Sequence, residues 1–141
     1  MESLESLVKM KKDYQEKIKQ DGKAVLRKEM DLFFESLPEV LAIKWTQYTP
    51  YFNDGDTCTF GVNEPQAQIE EGEDFRDGYD FTSTWEGRVP SERDNTIRKG
   101  LDALYAKFQK VEEVFEEVFG DHSEITVKRN GEVEIEEYEH D

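Results

Sequence analysis

Residues 41–62 read LAIKWTQYTPYFNDGDTCTFGV. Leu41, Ile43 and Trp45 alternate with Ala42, Lys44 and Thr46, and Cys58, Phe60 and Val62 alternate with Thr57, Thr59 and Gly61. Side chains of a strand point alternately to its two faces, so each half has one apolar and one wetter face. The β-branched and aromatic content suits a pleated, half-buried surface. Between the halves, Tyr48 to Asp56 holds Thr49-Pro50 and Asn53-Asp54-Gly55-Asp56. Proline lacks the N–H that a central ladder needs, and Asn, Asp and Gly accept turn geometry. The stretch predicts a β-hairpin with a wide aromatic tip, one strand ending near Tyr48 and the next starting near Thr57.

A second hairpin is expected around Asn130-Gly131. A two-residue turn would set Val127 against Glu134 and Ile125 against Glu136, apolar against charged. With Arg129-Asn130-Gly131 as the loop, Val127 meets Val133 and Ile125 meets Ile135, while Lys128 meets Glu132 and Thr126 meets Glu134. Register follows the apolar face, so the three-residue loop with a left-handed Gly131 is the expected one.

The helical pattern is strongest from Ser91. Ser91 and Asp94 have capping-box spacing. Ile97, Leu101, Leu104, Phe108, Val111, Phe115 and Val118 then recur at intervals of four and three, until Gly120 stops the pattern. This predicts one helix over 91–119, roughly 43 Å long, overhanging strands of about 20 Å. Residues 3–36 also have helical spacing, with Leu4, Leu7, Val8, Tyr14 and Ile18 followed by Leu26, Met30 and Phe33. Asp21-Gly22 divides them into two helices or kinks one, and Pro38 ends the region. Asn63 to Pro90 is irregular and acidic, with a short strand expected near Phe81 to Trp85. The expected fold is a single α+β domain. Two hairpins form a four-stranded antiparallel sheet, packed on one face by a long C-terminal helix and the N-terminal helices.

The blocks WTQYTPYFNDGDTC, residues 45–58, and GDHSEITVKRNGEVEIEEYEHD, residues 120–141, resemble sequences of a family of small uncharacterised proteins common in bacteriophage genomes. The resemblance covers about a quarter of the chain. It implies a phage or bacterial cytoplasmic setting and carries no catalytic residue with it.

The net charge is −16, from 34 acidic and 18 basic residues. Two blocks hold the excess: residues 64–87 carry one basic and eight acidic side chains, and residues 112–141 carry two and twelve. Such a chain repels nucleic acid and anionic lipid and attracts basic partners. The lone Cys58 excludes an internal disulfide, and no apolar run approaches the ~18 residues of a membrane span. A reducing cytoplasm is the expected compartment.

Two sets of residues stand out as candidate sites. The first is acidic: Glu112, Glu113, Glu116 and Glu117 on the last helix, with Glu132, Glu134 and Glu136 on the polar face of the last hairpin. Glu112 and Glu116, and Glu113 and Glu117, are like charges four apart, each pair costing about 0.2–0.5 kcal/mol. Local costs without a structural return are where function is expected. The two elements adjoin, so a continuous negative surface is expected. The second set is the aromatic tip, Trp45, Gln47, Tyr48, Asn53, Asp54 and Asp56, suited to a small ligand or modest catalysis.

No EF-hand spacing, zinc-ligand spacing, phosphate loop or nucleophile elbow occurs, so no metal or cofactor is expected. The leading expectation is a non-enzymatic protein that binds a basic host protein, with inhibition of that protein and imitation of nucleic acid as the sharper forms of the same expectation. A third reading is a dimerising accessory protein with the N-terminal helices as the contact.

Overall fold

The computed structural model describes residues 3–50, 59–77, 81 and 91–138. Among these, three helices and five strands follow in the order α1 (Leu4–Ser36), β1 (Ala42–Tyr48), β2 (Gly61–Val62), β3 (Gln66–Gln68), α2 (Glu92–Lys110), α3 (Glu112–Phe119), β4 (Ser123–Lys128) and β5 (Val133–Glu137). The class is α+β with an antiparallel sheet, as expected, but there are five strands rather than four.

The sheet runs β2-β1-β4-β5, with β3 also paired to β1. The partner strand of the first hairpin is shorter than the alternation predicts, and Thr57 and Cys58 lie outside the described residues. Gln47 pairs with Val62 and Tyr48 with Gly61. Further along β1, Lys44 pairs with Gln66, Ile43 with Ala67 and Ala42 with Gln68. Between the two registers Trp45 alone spans Glu64 and Pro65, which is the two-against-one count of a β-bulge. Proline belongs in such a place because it has no N–H to give the ladder. Pairing resumes beyond it, so the segment expected to be irregular from Asn63 contributes the fifth strand. Of the strand expected near Phe81 to Trp85, only Phe81 is described; it is fully buried.

The second hairpin has the expected register: Val127 faces Val133, Ile125 faces Ile135 and Thr126 faces Glu134. Lys128 N–H donates to the Glu132 carbonyl at 2.9 Å, and Gly131 has φ 95°. Its apolar face is covered on one strand only. Ile125 and Val127 are buried, whereas Val133 and Ile135 are 49% and 53% exposed. β5 is an edge strand, and no described element packs over its outer margin.

α1 is one 33-residue helix, not two. Gly22 does not end it, and Gly22 is where α3 crosses. A Cβ there would lie 2.7 Å from Val114 Cγ1 and 3.1 Å from Val118 Cγ2. Close packing outweighs the ~1 kcal/mol that a mid-helix glycine costs. The buried residues of α1 all lie at or beyond Gly22. Leu4, Leu7, Val8, Met10 and Tyr14 are at least half exposed, so the overhanging element is α1.

The helix expected over 91–119 is two helices, broken at Val111 (φ −135°, ψ 37°). The capping box at Ser91 and Asp94 is present. Lys107 and Lys110 occupy the last turn of α2, and Glu112 and Glu113 the first turn of α3. Cations favour a helix C-terminus and anions an N-terminus, so these four charges support a break at Val111.

The core lies between the helices and one face of the sheet. Ile43, Trp45 and Gln47 of β1 and Ile125 and Val127 of β4 point into it. Trp45 meets Phe108, Phe115 and Phe119 edge-on, with ring centroids 5.0, 5.7 and 5.7 Å away. The other face of the sheet carries Lys44, Thr46, Glu124, Thr126 and Lys128, with Glu134 and Glu136 exposed beside them.

Candidate interaction surface

The helical acids are not equivalent. Glu112 Oε2 accepts the Val62 N–H at 2.6 Å and holds β2 against α3. Glu113 is exposed, and Glu116 and Glu117 are half-buried. Burial pushes the Glu116 carboxyl above its ordinary value, and the neighbouring charges of Asp121 and Glu117 push the same way. Asp121 is itself engaged. Its carboxylate accepts the Thr49 N–H and hydroxyl, each at 2.7 Å, and the His122 N–H at 2.8 Å. Burial raises Asp121, but these donors and the His122 charge outweigh it, and its pKa falls.

The hairpin acids sit elsewhere. Lys128 Nζ lies 3.4 Å from Glu132 and 3.0 Å from Glu134, and these two acids raise its pKa. Glu124 lies 3.8 Å from Lys44, whose ammonium rests 4.6 Å from the Phe75 ring centre. By register Glu134 and Glu136 share the solvent face of the sheet with Thr126 and Glu124. The α3 acids belong to the helix layer behind it. The seven glutamates therefore form two patches on opposite sides of the sheet, not the continuous surface expected.

At the predicted aromatic site, Trp45 and Gln47 are core residues, 2% and 0% exposed. Trp45 Nε1–H donates to Gln47 Oε1 at 3.0 Å, and Gln47 Nε2 donates to the carbonyls of Phe115 and Gly120 at 3.0 and 2.8 Å. Both side chains fasten β1 to α3. Tyr48 is half-buried, and its ring lies 5.6 Å from that of Tyr138. Asn53, Asp54 and Asp56 lie outside the described residues.

The alternation did not single out a groove between α1 and β5, of about 330 Å³. Leu26, Met30, Phe34 and Val127 line it, with Val133 and Ile135 on the strand side. It exists because β5 turns two apolar side chains to the helix face while α1 covers the sheet only as far as β4. The apolar positions were legible in the sequence. That β5 lies at the edge follows from sheet order, which no local pattern carries.

Among the described residues no group of three or more His, Cys, Asp and Glu side chains is placed to hold a metal ion, and no helix is long and apolar enough to cross a membrane. No family model, curated protein or solved structure matches the chain.

Proposed function

We propose that this chain is a non-enzymatic, phage-encoded interaction protein whose acidic surface binds, and thereby inhibits, a basic host protein acting in defence or on nucleic acid. The observation that carries this reading is the crowding of Glu116, Glu117 and Asp121 at the C-terminal end of α3. That end has no basic residue in its last turn. A helix C-terminus favours cations, and burial with the neighbouring charges of Asp121 and Glu117 raises the Glu116 pKa, so the Glu116 charge costs folding energy. With a net charge of −16, such a patch steers positively charged partners to the surface. Glu113, Glu116 and Glu117 of the helix patch, and Glu136 of the separate sheet patch, are the acids proposed for contact, since Glu112 holds β2 and Glu132 and Glu134 lie beside Lys128. The phage setting rests on the resemblance of residues 45–58 and 120–141.

The test is capture from bacterial host lysate by the full chain and by a Glu113→Lys, Glu117→Lys, Glu136→Lys variant. A basic protein held at low salt, released at high salt and lost by the variant supports the reading. Equal capture by both chains would sink it.

Self-association is a second reading, favoured by the uncovered stripe of Leu4, Leu7, Val8 and Tyr14 along α1. Sedimentation equilibrium of the full chain and of Leu7→Lys, Val8→Lys tests it. A dimer lost in the variant supports the reading, and a monomer at every concentration removes it.

A further inference from the structure

We propose that the outer edge of β5, which pairs with no other strand among the described residues, takes up an extended segment of the partner, alternating apolar and basic residues, as an added strand. The inference rests on the basic-partner reading above and specifies the segment recognised.

Hydrogen-bond parity exposes the edge. Lys128 N–H donates to Glu132 O at 2.9 Å, and Tyr138 N–H donates to His122 O at 2.7 Å. In an antiparallel ladder the bonded pairs recur every second residue. With the observed register, Glu132, Glu134, Glu136 and Tyr138 therefore turn their main-chain groups toward β4. Val133, Ile135 and Glu137 turn theirs outward. These outward N–H and C=O groups are the template for an added strand.

The two sides of that edge have different chemistry. Beside Val133 and Ile135 lies the groove floored by Leu26, Met30 and Val127. Beside Glu134 and Glu136 lies the solvent face of the sheet, where both are exposed. Alternate residues of an added strand would point to these two sides in turn. Apolar side chains would enter the groove, and basic ones would meet Glu136 across the strand pair, Glu134 being held by Lys128. Five residues of β5 span about 17 Å, which fits a segment of five to seven residues. A second copy is the poorer occupant, because β5 laid antiparallel on β5 about Ile135 sets Glu134 against Glu136 of the copy, and Glu136 against Glu134.

The experiment titrates the full chain into a fluorescent pool of end-blocked heptapeptides. Their positions alternate between Val, Ile, Leu or Phe and Lys or Arg, and binding is read by anisotropy. Three comparisons accompany it: the same pool N-methylated at alternate peptide bonds in each of the two phases, a pool with Glu in place of Lys and Arg, and the Ile135→Pro chain. Ile135→Pro removes an outward N–H and no β4–β5 bond, and edge strands tolerate proline on that side. Circular dichroism checks its fold, and the methylated peptides test the same bonds on the unaltered protein. The expected result is saturable binding to the basic pool. It should weaken at least about tenfold on N-methylation in one phase and in Ile135→Pro.

No binding to the basic pool, or binding indifferent to N-methylation in both phases, overturns strand addition while leaving acidic docking standing. Backbone-dependent binding that prefers the acidic pool overturns the basic segment and the reading beneath it. Sedimentation showing a dimer abolished by Ile135→Pro would assign the edge to a second copy instead.

Discussion

The Gln47 side-chain amide donates to the Gly120 carbonyl at 2.8 Å, joining β1 to the end of α3 across 73 residues of chain. The same amide reaches the Phe115 carbonyl, and its oxygen takes the Trp45 N–H. One buried side chain thus satisfies three polar groups in an apolar core. Gln47→Leu keeps the approximate volume and leaves all three without that partner. An unsatisfied buried group costs about 1–3 kcal/mol, so the expected loss is about 2–4 kcal/mol, read from the urea midpoint. A loss below about 0.5 kcal/mol would contradict the assignment.

Gly22→Ala should destabilise, although alanine is the better helix former by about 1 kcal/mol. The added methyl would sit 2.7 Å from Val114 Cγ1. Overpacking of this kind costs about 1–3 kcal/mol. Denaturant unfolding of Gly22→Ala beside Gly22→Ala, Val114→Ala checks the cause, because removing the valine methyls should relieve part of the penalty.

Asp121 sets a pH dependence. Its pKa is held below the ordinary 3.8, so it stabilises the fold when ionised. That stability is present above pH 3.8 and is lost as pH falls through the lower folded value. The group is partly exposed, so Asp121→Asn should cost only about 0.5–1 kcal/mol at pH 7. The difference from the native chain should shrink on acidification below that range, as followed by thermal melts across pH.

Glu116 has the opposite sign. Its pKa is raised above the ordinary 4.5, so the ionised form opposes folding at neutral pH, and protonation relieves this as pH falls through the folded value. Glu116→Gln should gain a few tenths of a kcal/mol at pH 7, on the scale of about 0.2–0.5 kcal/mol for neighbouring like charges. The gain should fade below pH 4.5. If Glu116 serves partner binding, the more stable variant should also bind more weakly.

Removal of residues 1–16 should leave the fold intact, since the first buried position of α1 is Gly22. The urea midpoint should move by no more than the equivalent of about 0.5 kcal/mol.

Much of the fold was legible because local rules governed it. Ser91 and Asp94 announced a helix start, and the apolar alternation on both sides of Asn130-Gly131 set the final hairpin's register. The failures were of another kind. Gly22 looked like a boundary because its role depends on Val114 and Val118, nearly a hundred residues away. The break at Val111 was masked by an unbroken apolar stripe, although the switch from Lys107 and Lys110 to Glu112 and Glu113 was there to be read. Part of the expected cost of those glutamates has a structural return, since Glu112 holds the Val62 N–H. The acids of α3 and of β5 adjoin in the chain, yet register turns Glu134 and Glu136 to the solvent face while α3 packs on the core face. Trp45 and Gln47 look like site residues in sequence. Burial and three hydrogen bonds make them structural.

Amide hydrogen exchange, read residue by residue along β5 with and without the alternating basic peptide pool, is the most direct test. In the free chain Glu134 and Glu136 should exchange slowly and Val133, Ile135 and Glu137 rapidly, because only the first two turn their N–H groups toward β4. With the peptides, protection should appear at Val133, Ile135 and Glu137. Uniform protection in the free chain, or an unchanged pattern under saturating peptide, would contradict the open edge and the strand it is proposed to receive.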